Sequence, residues 1–165
     1  MHGFEKMVEM IVTIVLLFLV PIQYAGAKAD ILNRSYVMTE TAYLVDSVRT
    51  TGKLTRQMYE EYEKKLGITR QVYEIELVHY KKLLNETKEG YQTYFQGVYT
   101  ADIKEQLFLE TGSYELLAGD FFRVQVNRVS SSLAERFSLF FGLQDGRTDL
   151  SVEAVYGGRV HNEAR

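Results

Sequence analysis

The longest apolar stretch of the chain constrains its fold more than any other feature. Residues 9–30 read EMIVTIVLLFLVPIQYAGAKAD, and the eighteen residues from Met10 to Ala27 carry no formal charge. As an α-helix they would be roughly 27 Å long, close to the ~30 Å hydrocarbon core of a bilayer. The core helix of a soluble domain usually has a polar face, whereas the segment IVTIVLLFLV has none. The stretch therefore predicts a membrane-spanning helix.

The same stretch also has features of a cleavable signal peptide. Ala25 and Ala27 form an A-x-A pattern, and Pro21 precedes it by a few residues, as is common at signal peptidase sites. The preceding segment MHGFEKMVE, however, has two glutamates and one lysine, whereas a signal peptide begins with net positive charge. We therefore favour a retained helix, with cleavage after Ala27 as the alternative.

The helical pattern does not stop at Ala27. Apolar residues recur beyond it at spacings of three, four and seven, as on one side of an amphipathic helix. They are Ile31, Met38, Ala42 and Val45, flanked by Leu32, Leu44 and Val48. We expect residues 28–51 to continue the anchor of residues 1–27 and to end before Gly52, which suits the C′ position. Because Pro21 removes one backbone hydrogen bond, the sequence predicts a kink there.

Three later segments alternate between apolar and polar residues, as half-buried strands do. They are VYEIELVHY (72–80), FFRVQVNRV (121–129) and LSVEAVY (150–156). The inward positions would be Tyr73, Ile75, Leu77 and His79, then Phe122, Val124 and Val126, and finally Leu150, Val152, Ala154 and Tyr156. This one-faced alternation suits antiparallel pairing. The apolar face of such a sheet needs a cover, which residues 28–51 can provide.

Short helices are predicted between these strands. The segment RQMYEEYEKKLG (56–67) follows Thr55, a suitable N-cap, and ends at a glycine. The segment ADIKEQLFLETG (101–112) would place Ile103 and Leu107 inward. A third helix would begin at a capping box formed by Ser132 and Glu135, with an apolar stripe of Leu133, Phe137, Phe140 and Phe141. The predicted fold is therefore α+β, a long kinked N-terminal helix packed on an antiparallel sheet of about three strands, with residues 28–165 as one domain.

The composition excludes several kinds of chemistry. The chain has no cysteine, so disulfides, thiolate metal sites and a cysteine nucleophile are ruled out. Its nineteen basic and twenty-two acidic residues lack the basic excess of a nucleic-acid surface. Its three histidines, His2, His79 and His161, do not have the spacing of a metal site. We expect no metal, no cofactor, no nucleic-acid partner and no enzymatic activity.

Four features could suggest a site, and each has a structural explanation that we prefer. His79 would be a strand-end histidine near the sheet margin, and Ser132 is explained as a helix cap. Glu74 and Glu76 share one strand face and could pair like the carboxylates of a glycosidase, but adjacent positions on one face of a strand are typical of a solvated edge. The segment YQTYFQGVYT (91–100) contains four aromatic residues, which we interpret as a loop folded onto the domain. Stacking on sugars or on a neighbouring subunit is the alternative for that segment.

A long N-terminal helix that is apolar, then amphipathic, and interrupted by a proline resembles the plan of the type IV pilins. The opening GFEKMVE adds to this, because Gly3 followed by Phe4 and a nearby acid is similar to a prepilin-peptidase site. The resemblance implies processing between Gly3 and Phe4. It also implies that Glu9 or Glu5 pairs with the N-terminal amine of a neighbouring subunit during assembly. Lys6, three residues before Glu9, is the alternative partner for that glutamate.

The stretch VDSVRTTGKLTRQMYEEYEKKLGITRQVYEIEL (45–77), with FFRVQV and YGGRV later, is similar to single-span proteins of Gram-positive bacteria related to the tight-adherence (Tad) minor pilins. The expected function is a structural or accessory subunit of a pilus-like or secretion-type assembly. Its partners would be the membrane and other pilin-like subunits, with the C-terminal domain outside the cytoplasm. The alternative is a secreted binding domain, released after Ala27, whose aromatic segment contacts a ligand.

Overall fold

A computed structural model describes residues 2–87, 90–110, 112–131, 139 and 151–162 of the 165-residue chain. The first helix, α1, runs from His2 to Thr51 and contains Pro21 in its interior. Residues 2–33 of α1 fall in one compact unit, whereas residues 34–130 and 151–162 form another. The fold is α+β, with the long N-terminal helix packed on antiparallel sheets, as the sequence predicted.

Two helix boundaries follow the capping residues that the sequence indicated. Gly52 has a φ of +69°, a conformation that favours glycine, and its N–H donates to the carbonyl of Val48 at 2.8 Å. The next helix, α2, spans Arg56–Gly67, and the hydroxyl oxygen of Thr55 accepts the N–H of Met58 at 3.2 Å. Both predicted caps are therefore confirmed.

The strands form two antiparallel sheets. The larger sheet contains β2 (Tyr73–Thr87), β3 (Gly90–Tyr99), β5 (Phe121–Arg128) and β6 (Ser151–Arg159), in the spatial order β3-β2-β5-β6. The smaller sheet pairs β1 (Lys53–Thr55) with β4 (Ser113–Glu115). Between β3 and β4 lies α3 (Thr100–Glu105), followed by a π-helical turn (Gln106–Glu110). The three predicted strands all form, and the sheet gains a fourth.

That fourth strand, β3, is the aromatic segment predicted to be a loop, and this prediction was wrong. β2 continues past Tyr80 to Thr87 and pairs with β3 from Val78–Tyr99 to Thr87–Gly90. Aromatic residues fit a pleated, half-buried surface well. The tyrosines and the phenylalanine of this segment therefore favour the strand once β2 supplies a partner.

The core of the second unit is built from the C-terminal part of α1, the inward face of the larger sheet and the short helices. Its buried members include Val37, Leu44, Val45 and Val48 of α1 together with Leu77, Ile103, Leu107, Phe122, Val124, Val126 and Ala154. Each fully buried aliphatic side chain of this kind contributes about 1.5–3 kcal/mol to folding. The predicted inward positions Leu77, Ile103 and Leu107 are confirmed.

The face that α1 packs inward differs in part from the predicted one. Ile31 is 70% exposed and Met38 is 40% exposed, whereas Val37 and Thr41 are fully buried. Val37 is the first fully buried residue along the described part of α1. Because the buried row includes the polar Thr41, a pattern of apolar residues alone does not identify it. Val45, with the flanking Leu44 and Val48, is buried as expected.

An irregularity in β6 changes which of its side chains face inward. Ala154 lies opposite Val126, but Val152 lies opposite Asn127, so Glu153 is an extra residue in the strand. Val152 is consequently 44% exposed, which contradicts its predicted inward position. Glu153 is buried instead and pairs with the guanidinium of Arg128 at 3.1 Å. The predicted third helix and Leu150 lie outside the described residues.

Candidate functional site

The first part of α1 exposes apolar side chains around its whole circumference. From Phe4 to Ile22 its large apolar side chains, Leu19 excepted, are 43–75% exposed. In the described part of the chain, α1 is the one helix that is long and apolar enough to cross a membrane. A helix that is hydrophobic all round is stable in hydrocarbon or against other apolar helices. This surface is the candidate functional site.

The predicted processing and assembly residues occupy the start of this helix. Gly3 and Phe4 lie in its first turn, and Phe4 is 75% exposed. Glu5 and Glu9 are four residues apart and therefore lie on the same side of the helix. No ion pair joins Lys6 to Glu9, both of which the structure describes, so the alternative partner for Glu9 is not engaged.

The residues of the alternative signal-peptidase site lie within regular helix. Pro21, Ala25 and Ala27 are all helical, and α1 continues for twenty-four residues beyond Ala27 to Thr51. The proline ring leaves the carbonyl of Leu17 without its usual helical donor. The structure contains no helix boundary at the A-x-A pattern.

The second part of α1 is fixed to the sheet domain by α2. The hydroxyl of Thr41 donates to the carbonyl of Val37 at 2.7 Å and accepts from the hydroxyl of Tyr62, also at 2.7 Å. Burial raises the pKa of Tyr62, so its hydroxyl stays protonated and can donate. Nearer the surface, the ammonium of Lys65 pairs with Glu40 at 3.0 Å. Residues 37–48 of α1 are thus held by polar as well as apolar contacts.

Inside the domain, His79 is the centre of a buried polar network. Its Nδ1 lies 2.7 Å from the hydroxyl of Tyr114, and its Nε2 lies 2.9 Å from Oδ2 of Asp120. Asp120 also accepts the backbone N–H groups of Lys82 at 2.8 Å and Leu117 at 2.9 Å. The network therefore joins β2, β4 and the turn that precedes β5.

The protonation states in this network follow from burial and hydrogen bonding. Burial lowers the pKa of His79, although the neighbouring Asp120 opposes the shift. Burial would raise the pKa of Asp120, but hydrogen bonds from Lys82, Leu117 and His79 outweigh it and lower that pKa. Burial also raises the pKa of Tyr114 to about 12. At neutral pH, Tyr114 therefore donates to a neutral His79, which donates in turn to an ionised Asp120.

The buried network is a structural feature and offers no access to a substrate. The side chains of His79, Tyr114 and Asp120 are 0%, 1% and 2% exposed. The expectation that His79 lies near the sheet margin was wrong, because β2 is flanked on both sides by β3 and β5. A histidine on the apolar face of a strand should have signalled buried hydrogen-bonding partners. The sequence alone could not identify Asp120 and Tyr114 as those partners.

The remaining candidate residues do not come together as a site. Glu74 is exposed, and Glu76 accepts a hydrogen bond from the amide of Asn127 at 2.8 Å. Within the described ranges, no group of three His, Asp or Glu side chains is arranged to hold a metal ion.

No protein-family model matches the chain, and neither a curated protein nor a solved structure matches it. Its function is therefore inferred from the apolar helix and the sheet domain themselves.

Proposed function

We propose that the chain is a membrane-anchored, pilin-like structural or accessory subunit of a pilus-like or secretion-type assembly. The first part of α1 would lie in the membrane, and the sheet domain would lie outside the cytoplasm. The observation that carries the proposal is the division of one continuous helix into two parts. One part exposes apolar side chains on all sides, and the other is locked into the core of a folded domain.

This division favours lateral assembly over simple anchoring. A plain anchor needs no contact with its domain, whereas Val37, Val45 and Val48 of the same helix lie in the domain core. Since about 1.5–3 kcal/mol accompanies burial of each such side chain, the helix cannot separate from the sheet at low cost. Packing between the apolar helices of neighbouring copies would therefore bring their sheet domains together as well.

The start of the helix supplies the charges that such an assembly would use. A glutamate at the edge of an apolar helix is costly in lipid unless it is paired. In this proposal, processing between Gly3 and Phe4 creates a new amine, and Glu9 or Glu5 pairs with the amine of a neighbouring copy. The pairing would favour one register between helices over others.

The absence of native cysteine allows a direct test by disulfide cross-linking. Single-cysteine variants Val12→Cys and Val15→Cys are expressed in membranes and oxidised with copper phenanthroline. Both positions are exposed, at 50% and 43%. We expect covalent dimers between copies, or mixed dimers with a second pilin-like subunit bearing a matching cysteine. A scan over residues 8–20 should give yields that vary with the helical period.

The matched control is Lys53→Cys, an exposed position in the sheet domain at β1. A cysteine at this position is present at the same concentration in the membrane but lies outside the apolar helix. Cross-linking yields that are no higher in the helix than at Lys53→Cys, and that show no periodicity, would overturn lateral assembly through α1.

A further inference from the structure

The outward face of the larger sheet carries an exposed row of aromatic and basic side chains. His79 and Phe122 point into the core, so their neighbours Tyr80 and Phe121 point to the opposite face. The two rings lie 6.3 Å apart between centroids, and Arg159 is directly opposite Phe121 on β6. Phe95 of β3 lines the same groove, together with Tyr80, Phe121 and Arg159.

Two glycines belong to this row and contribute no side chain of their own. Gly97 lies opposite Tyr80 on β3, and the ring of Tyr99 folds over it, so that a β-carbon there would come 3.1 Å from the Tyr99 hydroxyl. Gly157 on β6 presents no side chain beside Arg123. At about 4.8 Å between strands, a row that crosses all four strands is roughly 14 Å long. It forms a shallow surface on which several flat rings can lie side by side.

The side chains on this face remain exposed although they are large and apolar. Phe95 is 52% exposed and Tyr99 is 59% exposed, while Tyr80 and Phe121 are half-buried. The inward face of the same sheet already packs against the core. A contiguous exposed aromatic surface of this kind is characteristic of a binding face.

Three positive charges surround the aromatic row. Lys82 lies directly opposite Phe95, Arg123 lies two residues from Phe121, and Arg159 completes the row. In the part of the chain that the structure describes, none of these three cations forms an ion pair. The whole chain has a formal charge of −3, so this local excess of positive charge runs against its overall balance. Among the described side chains of β2, the acids on the same face are Glu74 and Glu76, which lie toward the other end of the strand.

We propose that this face binds acidic sugar chains, meaning uronate-bearing polysaccharides of a cell surface or matrix. The apolar C–H face of a sugar ring stacks on exposed aromatic rings, and a carboxylate is bound in a bidentate manner by the planar guanidinium of Arg159. Lys82 and Arg123 provide further positive charge at either side of the row. The proposal depends only on the sheet domain and holds whether or not α1 assembles laterally.

Isothermal titration calorimetry on the full chain in uncharged detergent micelles tests the proposal. The probes are a galacturonate octamer, a neutral cello-oligosaccharide of similar length and single-stranded dT8. We expect the galacturonate octamer to bind at least about tenfold more tightly than the neutral sugar, with an affinity that falls as salt is raised. Equal affinity for the neutral sugar, tighter binding of dT8, or no binding of the octamer would each overturn the proposal.

Two pairs of variants locate the binding on this face. Phe95→Thr should weaken binding about fivefold, while Tyr94→Thr, its neighbour of similar exposure on the opposite face of β3, should change it less than twofold. Arg159→Gln should weaken binding about tenfold, while Lys53→Gln, with the same change in net charge, should not. Unfolding transitions that match that of the native chain establish that each variant folds. Equal effects within either pair would contradict the assignment.

Discussion

Replacing Asp120 by asparagine should destabilise the sheet domain more than its single hydrogen bond to His79 would suggest. Oδ1 of Asp120 accepts the N–H of Lys82 at 2.8 Å, and Oδ2 accepts both the N–H of Leu117 and Nε2 of His79 at 2.9 Å. Asparagine has only one acceptor oxygen. Its NH₂ group must therefore face either the donor at Oδ1 or the two donors at Oδ2.

The size of the effect follows from these contacts. One buried donor without an acceptor costs about 1–3 kcal/mol, and each of the other two bonds loses about 1 kcal/mol when its acceptor becomes neutral. Removing the buried charge also relieves part of its desolvation cost, which offsets some of this loss. We therefore expect Asp120→Asn to lower the free energy of unfolding by about 3 kcal/mol.

Urea unfolding of the full chain in detergent micelles, followed by the near-ultraviolet circular dichroism of the tyrosines, measures this loss. The control is Asp46→Asn, because the Asp46 carboxylate is 52% exposed and pairs with Arg49 one turn away. That change should cost less than about 1 kcal/mol. A loss below about 1 kcal/mol for Asp120→Asn would refute the proposed role of the network.

Three further predictions concern the same domain. Burial lowers the pKa of His79 from 6.5, so the unfolded chain binds a proton more readily than the folded chain. The free energy of unfolding should therefore fall as the pH drops below about 6.5. His79→Gln should flatten this pH dependence in urea titrations from about pH 7.5 to 5.5. Thr41→Val leaves the buried hydroxyl of Tyr62 without its partner and should cost about 1–3 kcal/mol in the same assay; an unchanged midpoint would contradict the role of this contact. Gly52→Ala introduces a β-carbon at a φ of +69°, only 2.7 Å from a side-chain atom of Asn162, and should lower the free energy of unfolding by about 1–2 kcal/mol. A β-carbon at Gly67 meets no atom within 4 Å, so Gly67→Ala should be nearly neutral.

The sequence predicted the structure correctly where residues within one helix or strand determine it. The N-cap at Thr55, the glycine that ends α1 and the inward positions of β2 and β5 all depend on near neighbours, and the structure contains each of them. The membrane-compatible part of α1 was evident for the same reason, because its composition alone sets its character.

The predictions failed where contacts between segments distant in the sequence determine the structure. The aromatic segment becomes β3 only because β2 extends to pair with it, and Val152 turns outward because Glu153 is inserted to meet Arg128. The partners of His79 come from positions thirty-five and forty-one residues away. No periodicity in a single sequence specifies such pairings.

The state of the N-terminus in the mature protein tests the central claim most directly. Membranes from cells that express the full chain are floated on a density gradient, and the intact mass of the chain is then measured. A retained first helix predicts that the protein floats with the membranes and begins at Met1 or Phe4. A soluble protein that begins at Lys28 would show that the apolar helix is removed, and the proposed assembly subunit would be contradicted.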